Sequence, residues 1–331
     1  MNPSDLSGGA PASVDTPAFA VGVPASATEP DVAGTLASVR ASADAAGGDY
    51  EIVVAVNGPD EPSPALLGAR AFAAAASLPL VEGDGPAAVR PGRPIVRVLR
   101  LAVRSKVVAW NAIRAASRAP IIVFTDADVR LAPDAVGLLL ARLAATPALA
   151  VAAGCEVAAL APGDGLVAHL AALPHRFDFG NVPGRLYALR TAALGEPMPT
   201  HVLHEDAYLS VRLGRARFVK VEGACVYLRP PTTWREYLRQ RVRNEVGKRQ
   251  LAAEFPDLLR AHGFGVYPWH AFLTGIRVRE YPLVLLSLLS RLIARVGAGR
   301  ESRHGFDRGW ATLPSTKAWT GGERAAGTRR P

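Results

Sequence analysis

The chain has 331 residues, 49% of them hydrophobic, two cysteines and a formal net charge of +9. That is ample for a sizeable core, as one large domain or one domain with an appendage. Cys155 and Cys225 have no short metal-type spacing and read as reduced, buried thiols of a cytoplasmic protein. The opening MNPSDLSGGAPASVDTPA has neither a basic nor an apolar leader region, so residues 1–17 read as a disordered lead-in and not as a signal peptide.

The charge is uneven. Arg212 to Arg249 carries a balance of +8 and Arg291 to the end a balance of +6, so the rest of the chain is near −5. The second half therefore offers a surface for anions such as phosphates, lipid head groups or nucleic acid.

In chain order, AFAVGVPA (Ala18 to Ala25) is an expected first strand, and DVAGTLASVRASADAA spaces Val32, Leu36 and Val39 at helical intervals. YEIVVAVNG is a continuous apolar run closed by Asn-Gly, the pattern of a strand buried on both faces. SPALLGARAFAAAASL follows as a helix, LPLVEG as a third strand, and RSKVVAWNAIRAASRA as a helix with Val107, Trp110, Ile113 and Ala116 on one face. PIIVFTDADV is a fourth strand, followed by the helix APDAVGLLLARLAAT with Pro133 in its first turn and Asp134 near its positive end. Four strand–helix alternations predict an α/β fold with a mainly parallel sheet flanked by helices, and ligands bind such sheets at the strands' carboxyl ends. TDAD sits at one. No Walker-type loop occurs and no G-x-G-x-x-G follows the first strand, which removes the support for kinase and dinucleotide readings.

The second half is less regular. Ala148 to Leu160 reads as a strand with its continuation, and GRLYALRTAAL as a short strand running into a helix. HVLHEDAYLSVRLG puts Glu205 and Asp206 at a helix start, and RFVKVEGACVYL is one long strand or a pair. TTWREYLRQRVRNEVGKRQLAAEF is a long basic helix capped by Thr232 or Thr233, with Glu236 placed as in a capping box. In YPLVLLSLLSRLIARVG the uninterrupted apolar run, Pro282 to Ser290, is short and is followed by Arg291 and Arg295, so it is not read as a single bilayer span. Two readings stay open for it, a helix packed on the domain and an interfacial helix at a membrane surface.

Two carboxylates one residue apart, Asp126 and Asp128, point opposite ways along an extended backbone unless the chain turns. Mg2+ takes one or two carboxylates plus substrate phosphates and water, so a D-x-D at a strand end suits a metal-bound diphosphate. A solvated acidic turn explains the dipeptide equally well until its context is added.

That context is SKVVAWNAIRAASRAPIIVFTDADVRLAPDAVGLLLARL, which resembles the donor-binding core of family 2 glycosyltransferases in Lys106, Ala109, Asn111, Asp126, Asp128 and Pro133-Asp134. VPASATEP resembles the family's Pro-Ala-x-x-Asn-Glu opening, with Pro24 and Glu29 in place and Thr28 where Asn is usual. VVAVNGPDEPS resembles the nucleoside-embracing segment, with Asn57-Gly58 and then Asp60 or Glu61. GRLYALR from Gly184, HEDAYLS with Asp206, and QRVRN with Gln240 and Arg243 resemble the later motifs, although Asn244 replaces the Trp of Q-x-x-R-W. The matches fall in the family's order from Val21 to Gly247.

The resemblance implies a GT-A fold over 18–250, while composition and pattern mark 251–318 as a helical basic C-terminal extension and 319–331 as a disordered tail. It also implies an inverting enzyme that moves one sugar from a nucleotide-diphosphate sugar to a hydroxyl of a sugar, lipid-linked or small-molecule acceptor. Asp128 is the expected ligand of a divalent Mg2+ or Mn2+, a Lewis acid for the leaving diphosphate. Asp206 is the expected base for the acceptor hydroxyl, and Pro24, Glu29, Asn57, Lys106, Asp126, Gly184, Gln240 and Arg243 the expected donor contacts. Gln240 and Arg243 share a helix face, whereas Arg241 diverges from Arg243 by about 200°. Asn244 favours single-sugar transfer over processive synthesis. His201 and His204, at i and i+3, read as an exposed or packed pair more readily than as a metal site, and His175, Trp234, Tyr237 and Trp269 are candidates for an acceptor groove, with core packing the default for the aromatics. The expected location is cytoplasmic, soluble or peripheral at the inner membrane face, with no nucleic-acid partner. The competing readings are a nucleotidyltransferase, disfavoured by the absence of a basic residue in VPASATEPDVAG, and a non-catalytic basic module for membrane or nucleic acid.

Overall fold

The computed structural model describes residues 16–83, 93–263, 270, 275–304, 313–317, 319 and 324–325. Most of the lead-in and most of the tail expected to be disordered, together with Trp269, lie outside them.

The first half alternates as expected: β1 (Phe19–Ser26), α1 (Val32–Ala46), β2 (Tyr50–Asn57), α2 (Pro64–Ala75) and β3 (Leu80–Glu82). A strand absent from the sequence reading then appears, β4 (Ile95–Leu101), followed by α3 (Lys106–Ala116) and β5 (Ile121–Thr125). Charge hides β4 in the sequence, because Arg97 interrupts its apolar run. In the fold Arg97 is buried and pairs at 3.4 Å with Glu51 of β2, which also accepts a 2.7 Å bond from Ser117 Oγ.

PIIVFTDADV is not one strand. The chain turns after Thr125 and resumes as β6 (Val129–Leu131), so Asp126 and Asp128 lie in the connection. Thr35 Oγ1 lies 2.7 Å from the Ala127 carbonyl and 3.0 Å from that of Val129, which ties the turn to α1. The next helix, α4 (Ala135–Ala145), begins after Asp134, so Pro133 precedes it instead of lying in its first turn.

The remainder is β7 (Val151–Leu160), α5 (Leu166–Ala172), β8 (Leu186–Arg190), α6 (Glu205–Leu213), β9 (Phe218–Leu228), α7 (Trp234–Glu254), α8 (Pro256–His262), α9 (Tyr281–Glu301) and the two-residue β10 (Arg324–Ala325). After β8 there is a single helical turn, and RFVKVEGACVYL is one strand. Thr233 caps α7, its hydroxyl accepting from Glu236 N at 3.3 Å.

The strand order is β3-β4-β2-β1-β5-β8-β7-β9-β6. It is parallel from β3 to β5 and between β7 and β9, whereas β8 is antiparallel to both its neighbours and β6 to β9. β10 pairs antiparallel with β7. Each face of the sheet carries its own core. Phe19, Val21 and Val23 point into the layer with Leu36 and Leu139, while Ala20, Val53 and Ile122 point into the layer with Trp110 and Leu209. Burial on both faces explains why the central strands read as continuous apolar runs. Cys155 and Cys225 are register partners on β7 and β9, both free and half-buried.

α9 packs on α7, where Ser290 Oγ meets the buried Tyr237 hydroxyl at 2.9 Å. Its other side presents Leu285, Leu288, Leu289, Leu292, Ile293 and Val296 to solvent, each 49–67% exposed. The helical segment Val278–Glu301 is long and apolar enough, by length and composition, to cross a bilayer, with a mean hydropathy of 1.5 in its best 18-residue window. The nine-residue run counted in the sequence understates it.

Candidate active site

The carboxyl ends of β1, β2 and β5 deliver Pro24, Asn57 and Asp126 to one edge of the sheet. Asn57 Nδ2 donates to the Ala25 carbonyl at 2.8 Å, and Thr125 Oγ1 to the Arg185 carbonyl at 2.9 Å. Two compartments meet at this edge. One, about 100 Å3, is lined by Pro24, Ser26, Glu29, Asn57, Asp128 and Lys317. The other, about 440 Å3, is lined by Gly184, His204, Asp206, Arg241, Asn244 and Arg291. Lys106, Asp126, Arg185, Gln240 and Arg243 line both, so they form the partition.

The partition is charged and internally paired. Lys106 Nζ lies 2.6 Å from Asp126 Oδ1 and also bonds Glu205, a carboxylate only 2% exposed. Burial opposes the Lys106 charge, but Asp126 and Glu205 outweigh it and push the ammonium well above the usual lysine range. Burial raises the Asp126 carboxyl despite Lys106. Arg185 Nη1 bonds Glu156 Oε2 at 2.9 Å, and His175 Nδ1 meets the same oxygen at 2.9 Å. Burial would raise the Glu156 carboxyl, yet Arg185 and His175 hold it far below the carboxylate range.

Asp128 sits on the smaller side, 2.6 Å from Lys317 Nζ. Burial alone would raise its carboxyl, but Lys317, Arg185 and Lys106 together hold it below the ordinary value. Glu29, 2% exposed, accepts from the same Nζ at 2.5 Å, and burial pushes its carboxyl up to about 7. Glu29 Oε1 is buried with no hydrogen-bond partner among the described residues.

Asp206 faces the larger compartment from the first turn of α6, and burial raises its carboxyl. Its Oδ1 accepts from Ala207 N at 2.8 Å. His204 beside it is pushed down to about 4 by burial and by Arg243, and its ring lies against Gly247, where a Cβ would come within 2.1 Å.

Of the expected site residues, Pro24, Glu29, Asn57, Lys106, Asp126, Asp128, Gln240 and Arg243 converge on the smaller compartment or its partition. Gly184, expected among the donor contacts, lines the larger compartment beside Asp206, and the antiparallel run of β8 against β5 brings the residues preceding β8 to the carboxyl end of β5. Asn111 is structural, its amide bonding the Met198 backbone at 2.7 and 3.0 Å. Asp60 and Glu61 pair with Arg104 and Arg100. Arg241, set apart from Arg243 by helix geometry, still lines the larger compartment, with its guanidinium 5.1 Å from the Tyr237 ring centroid. His201 pairs with Glu254 at 3.1 Å and Trp234 is 42% exposed, whereas Tyr237 is core. The sequence reading missed Arg185, Glu156, Glu205 as a partner of Lys106, and Lys317. Glu205 and Arg185 lie within recognised motifs, HEDAYLS and GRLYALR, but nothing local marks Glu156 or Lys317.

The fit of a divalent ion can be judged from these groups. Among the described residues no cluster of three or more His, Cys, Asp or Glu forms a preformed cage. Asp128 and Glu29, drawn to a single ammonium and with one carboxylate oxygen unpartnered, do fit an ion that takes its remaining ligands from phosphate and water.

Residues 20–171 match the family described as glycosyl transferase family 2. Among solved structures, a mannosyltransferase from Pyrobaculum calidifontis in complex with GDP-Man and Mn2+ superposes with a TM-score of 0.53 at 17% identity, over 91% of this chain and 78% of that one. TarS 1–349 from S. aureus gives 0.44 at 14% identity over 83% and 80% of the two chains. Glucosyl-3-phosphoglycerate synthase from Mycobacterium tuberculosis, in complex with phosphoglyceric acid, gives 0.43 at 18% over 72% and 79%. No curated protein sequence matches the chain. The matched segment and the superposition agree: residues 20–171 carry the match to family 2 glycosyltransferases, and the chain has a GT-A fold.

Proposed function

We propose that the protein transfers one sugar from a nucleotide-diphosphate sugar to an acceptor hydroxyl, with inversion and with a divalent ion at Asp128. The observation that carries this reading is the pair of compartments joined at Lys106, Asp126, Arg185, Gln240 and Arg243. Asp128 lies on one side of that partition and Asp206 on the other. The mannosyltransferase neighbour, a complex with GDP-Man and Mn2+, favours a nucleotide-sugar donor and a divalent metal here.

In this reading the nucleotide lies along Pro24 and Asn57 and the diphosphate between Asp128 and the guanidinium of Arg243. Asp128 and Glu29 would hold the metal, which when bound supplies Lewis-acid stabilisation of the leaving diphosphate. Arg185 and Arg243 at the partition add fixed positive charge where negative charge develops, and they do so without reorganising. The acceptor enters the larger compartment, and its hydroxyl gives its proton to Asp206 as the new bond forms. Burial makes that carboxylate a stronger base than an exposed aspartate. One base facing one leaving group across the partition gives a single displacement, hence inversion. The neutral His204 keeps a second positive charge away from that base.

The reading includes peripheral contact with an anionic membrane through the outward apolar side of α9. An apolar groove lined by Phe177, Phe179, Leu288 and Arg291 runs beside this helix, and Phe179 and Arg291 also line the larger compartment. A lipid-linked acceptor would follow that path.

The test is transfer from a panel of UDP- and GDP-sugars with Mn2+, read by mass spectrometry of product and by release of nucleoside diphosphate. Asp128→Ala and Asp206→Asn are expected to abolish transfer. Full activity in both variants would overturn the site. Pyrophosphate release from a nucleoside triphosphate and a sugar phosphate would replace the reading with nucleotidyl transfer.

A further inference from the structure

Leu313, Thr316 and Lys317 line the smaller compartment, far in sequence from the motifs that build it, and Trp319 follows them against Arg130. Glu236, the third residue of α7, anchors them: its Oε1 accepts from Ser315 N at 3.1 Å and its Oε2 from the Ser315 hydroxyl. Thr232 N donates to Ser315 Oγ at 3.1 Å. Trp319 sits beneath the Arg130 guanidinium, 4.7 Å from the ring centroid. This strap delivers the Lys317 ammonium to Glu29 and Asp128 at 2.5 and 2.6 Å, with its side chain 17% exposed.

Two observations bear on what that contact does. The first is charge. One ammonium faces two carboxylates, and Glu29 Oε1 keeps no partner among the described residues. A divalent ion would neutralise both acids where the ammonium neutralises one. The second is space. With the strap across it, the compartment offers about 100 Å3. Ligand clefts run to about 300–1,000 Å3, and a nucleoside diphosphate does not fit the smaller figure.

We propose that Lys317 is a tethered cation that holds the Glu29–Asp128 pair in the donor-free protein. A divalent ion replaces it as the nucleotide diphosphate enters, and the strap moves off the compartment. The proposal rests on the donor-site reading above. It adds a residue that competes with the metal and makes donor and metal entry one linked event. A donor without a divalent ion must leave Lys317 in place, and an ion without a donor must compete with an ammonium already bonded to its ligands. The strap's anchor is on α7, the helix that also carries Gln240 and Arg243, so the cover and the partition share one element.

The experiment titrates Mn2+ into the full chain without nucleotide and reads the free ion by electron paramagnetic resonance. Lys317→Gln is expected to tighten Mn2+ by about tenfold or more, because both the competitor and a like charge are removed. Ser315→Ala, which loosens the strap and leaves both carboxylates intact, is expected to shift affinity the same way, and Lys317→Arg to stay near wild type. Adding Asp128→Asn to Lys317→Gln should abolish the gain. Mn2+ affinity in Lys317→Gln equal to or weaker than wild type overturns the proposal. A second readout is the fluorescence difference between wild type and Trp319→Phe. Nucleoside diphosphate with Mn2+ should shift this difference to longer wavelength as Trp319 leaves its site, and an unchanged difference spectrum also overturns the proposal. The titration uses no donor, so a failure to transfer sugar would remove the functional reading and leave this result standing.

Discussion

Gly184 lies so close to Asp206 that a Cβ at position 184 would stand 2.8 Å from Asp206 Oδ2. The glycine does not serve backbone freedom here, since its φ is one that other residues adopt. It leaves room for a carboxylate that burial has already turned into a better base. Gly184→Ala is therefore expected to push Asp206 aside and lower kcat by about tenfold or more, since small misplacements at a reacting centre are costly. Donor affinity and the circular dichroism spectrum should be unchanged. Asp206→Asn, which keeps the shape and removes the base, should cost about 100- to 10,000-fold. Equal kcat in wild type and Gly184→Ala would show that the close approach has no catalytic meaning.

The raised Asp206 carboxyl sets the acid side of the pH profile. The base must be ionised to accept the acceptor proton, so activity rises as pH climbs through its folded value. That value is expected above the ordinary aspartate range, because burial raises it and Lys106 only partly opposes the effect. The check is kcat/KM against pH with saturating metal. An acid limb at or below the ordinary aspartate value would contradict the assignment.

Lys106 has a structural part beside its proposed donor contact. It stands between Asp126 and the buried Glu205, and without its ammonium two carboxylates would face each other across the partition. Lys106→Met is expected to destabilise the fold by about 3–5 kcal/mol, the usual cost of breaking a buried charged network at one member. Urea denaturation followed by circular dichroism measures it. A loss under about 1 kcal/mol would mean that the acids are better solvated than their burial implies.

His204 predicts a stability change with pH. Its folded value of about 4 lies below the ordinary 6.5, so between these values the unfolded chain binds the extra proton. Stability is then lost as pH falls from about 6.5 toward 4, by about 3 kcal/mol at most. Glu29 works in the opposite sense over an overlapping window, because its carboxyl is raised to about 7 and favours the protonated folded form. The difference between wild type and His204→Gln is therefore the informative quantity. It should shrink as pH falls, and a constant difference would show that His204 does not titrate as its burial requires.

The outward side of α9 predicts membrane behaviour. Full-length protein should float with vesicles containing anionic lipid, and Leu289→Glu combined with Leu292→Glu should abolish flotation while donor hydrolysis in solution persists. Equal flotation of wild type and the double variant would remove the membrane from the reading.

The sequence by itself determined most of the backbone path. Apolar runs marked β1, β2 and β5, helical spacing marked α1 and α3, and the order of short motifs placed Asp126, Asp128, Asp206, Gln240 and Arg243 around one site. These signals survive without coordinates because strand and helix periodicities are local, and because a parallel sheet gathers the carboxyl ends of its strands at one edge. Tertiary structure decided the pairing of charges. β4 was hidden because Arg97 needs Glu51, 46 residues away, before it can be buried. Gly184 meets Asp206 because β8 runs against β5 and sets the residues before it at the carboxyl end of β5. Lys317 gave no signal at all: it is a lone lysine at the end of the C-terminal extension, and it reaches Asp128 across 189 residues of sequence. An ion pair depends on distance and burial, and neither is written in the neighbours of a single residue. The acidic pair after β5 could be proposed as a cation site from sequence, but only the fold shows that the chain brings an ammonium of its own to each acid.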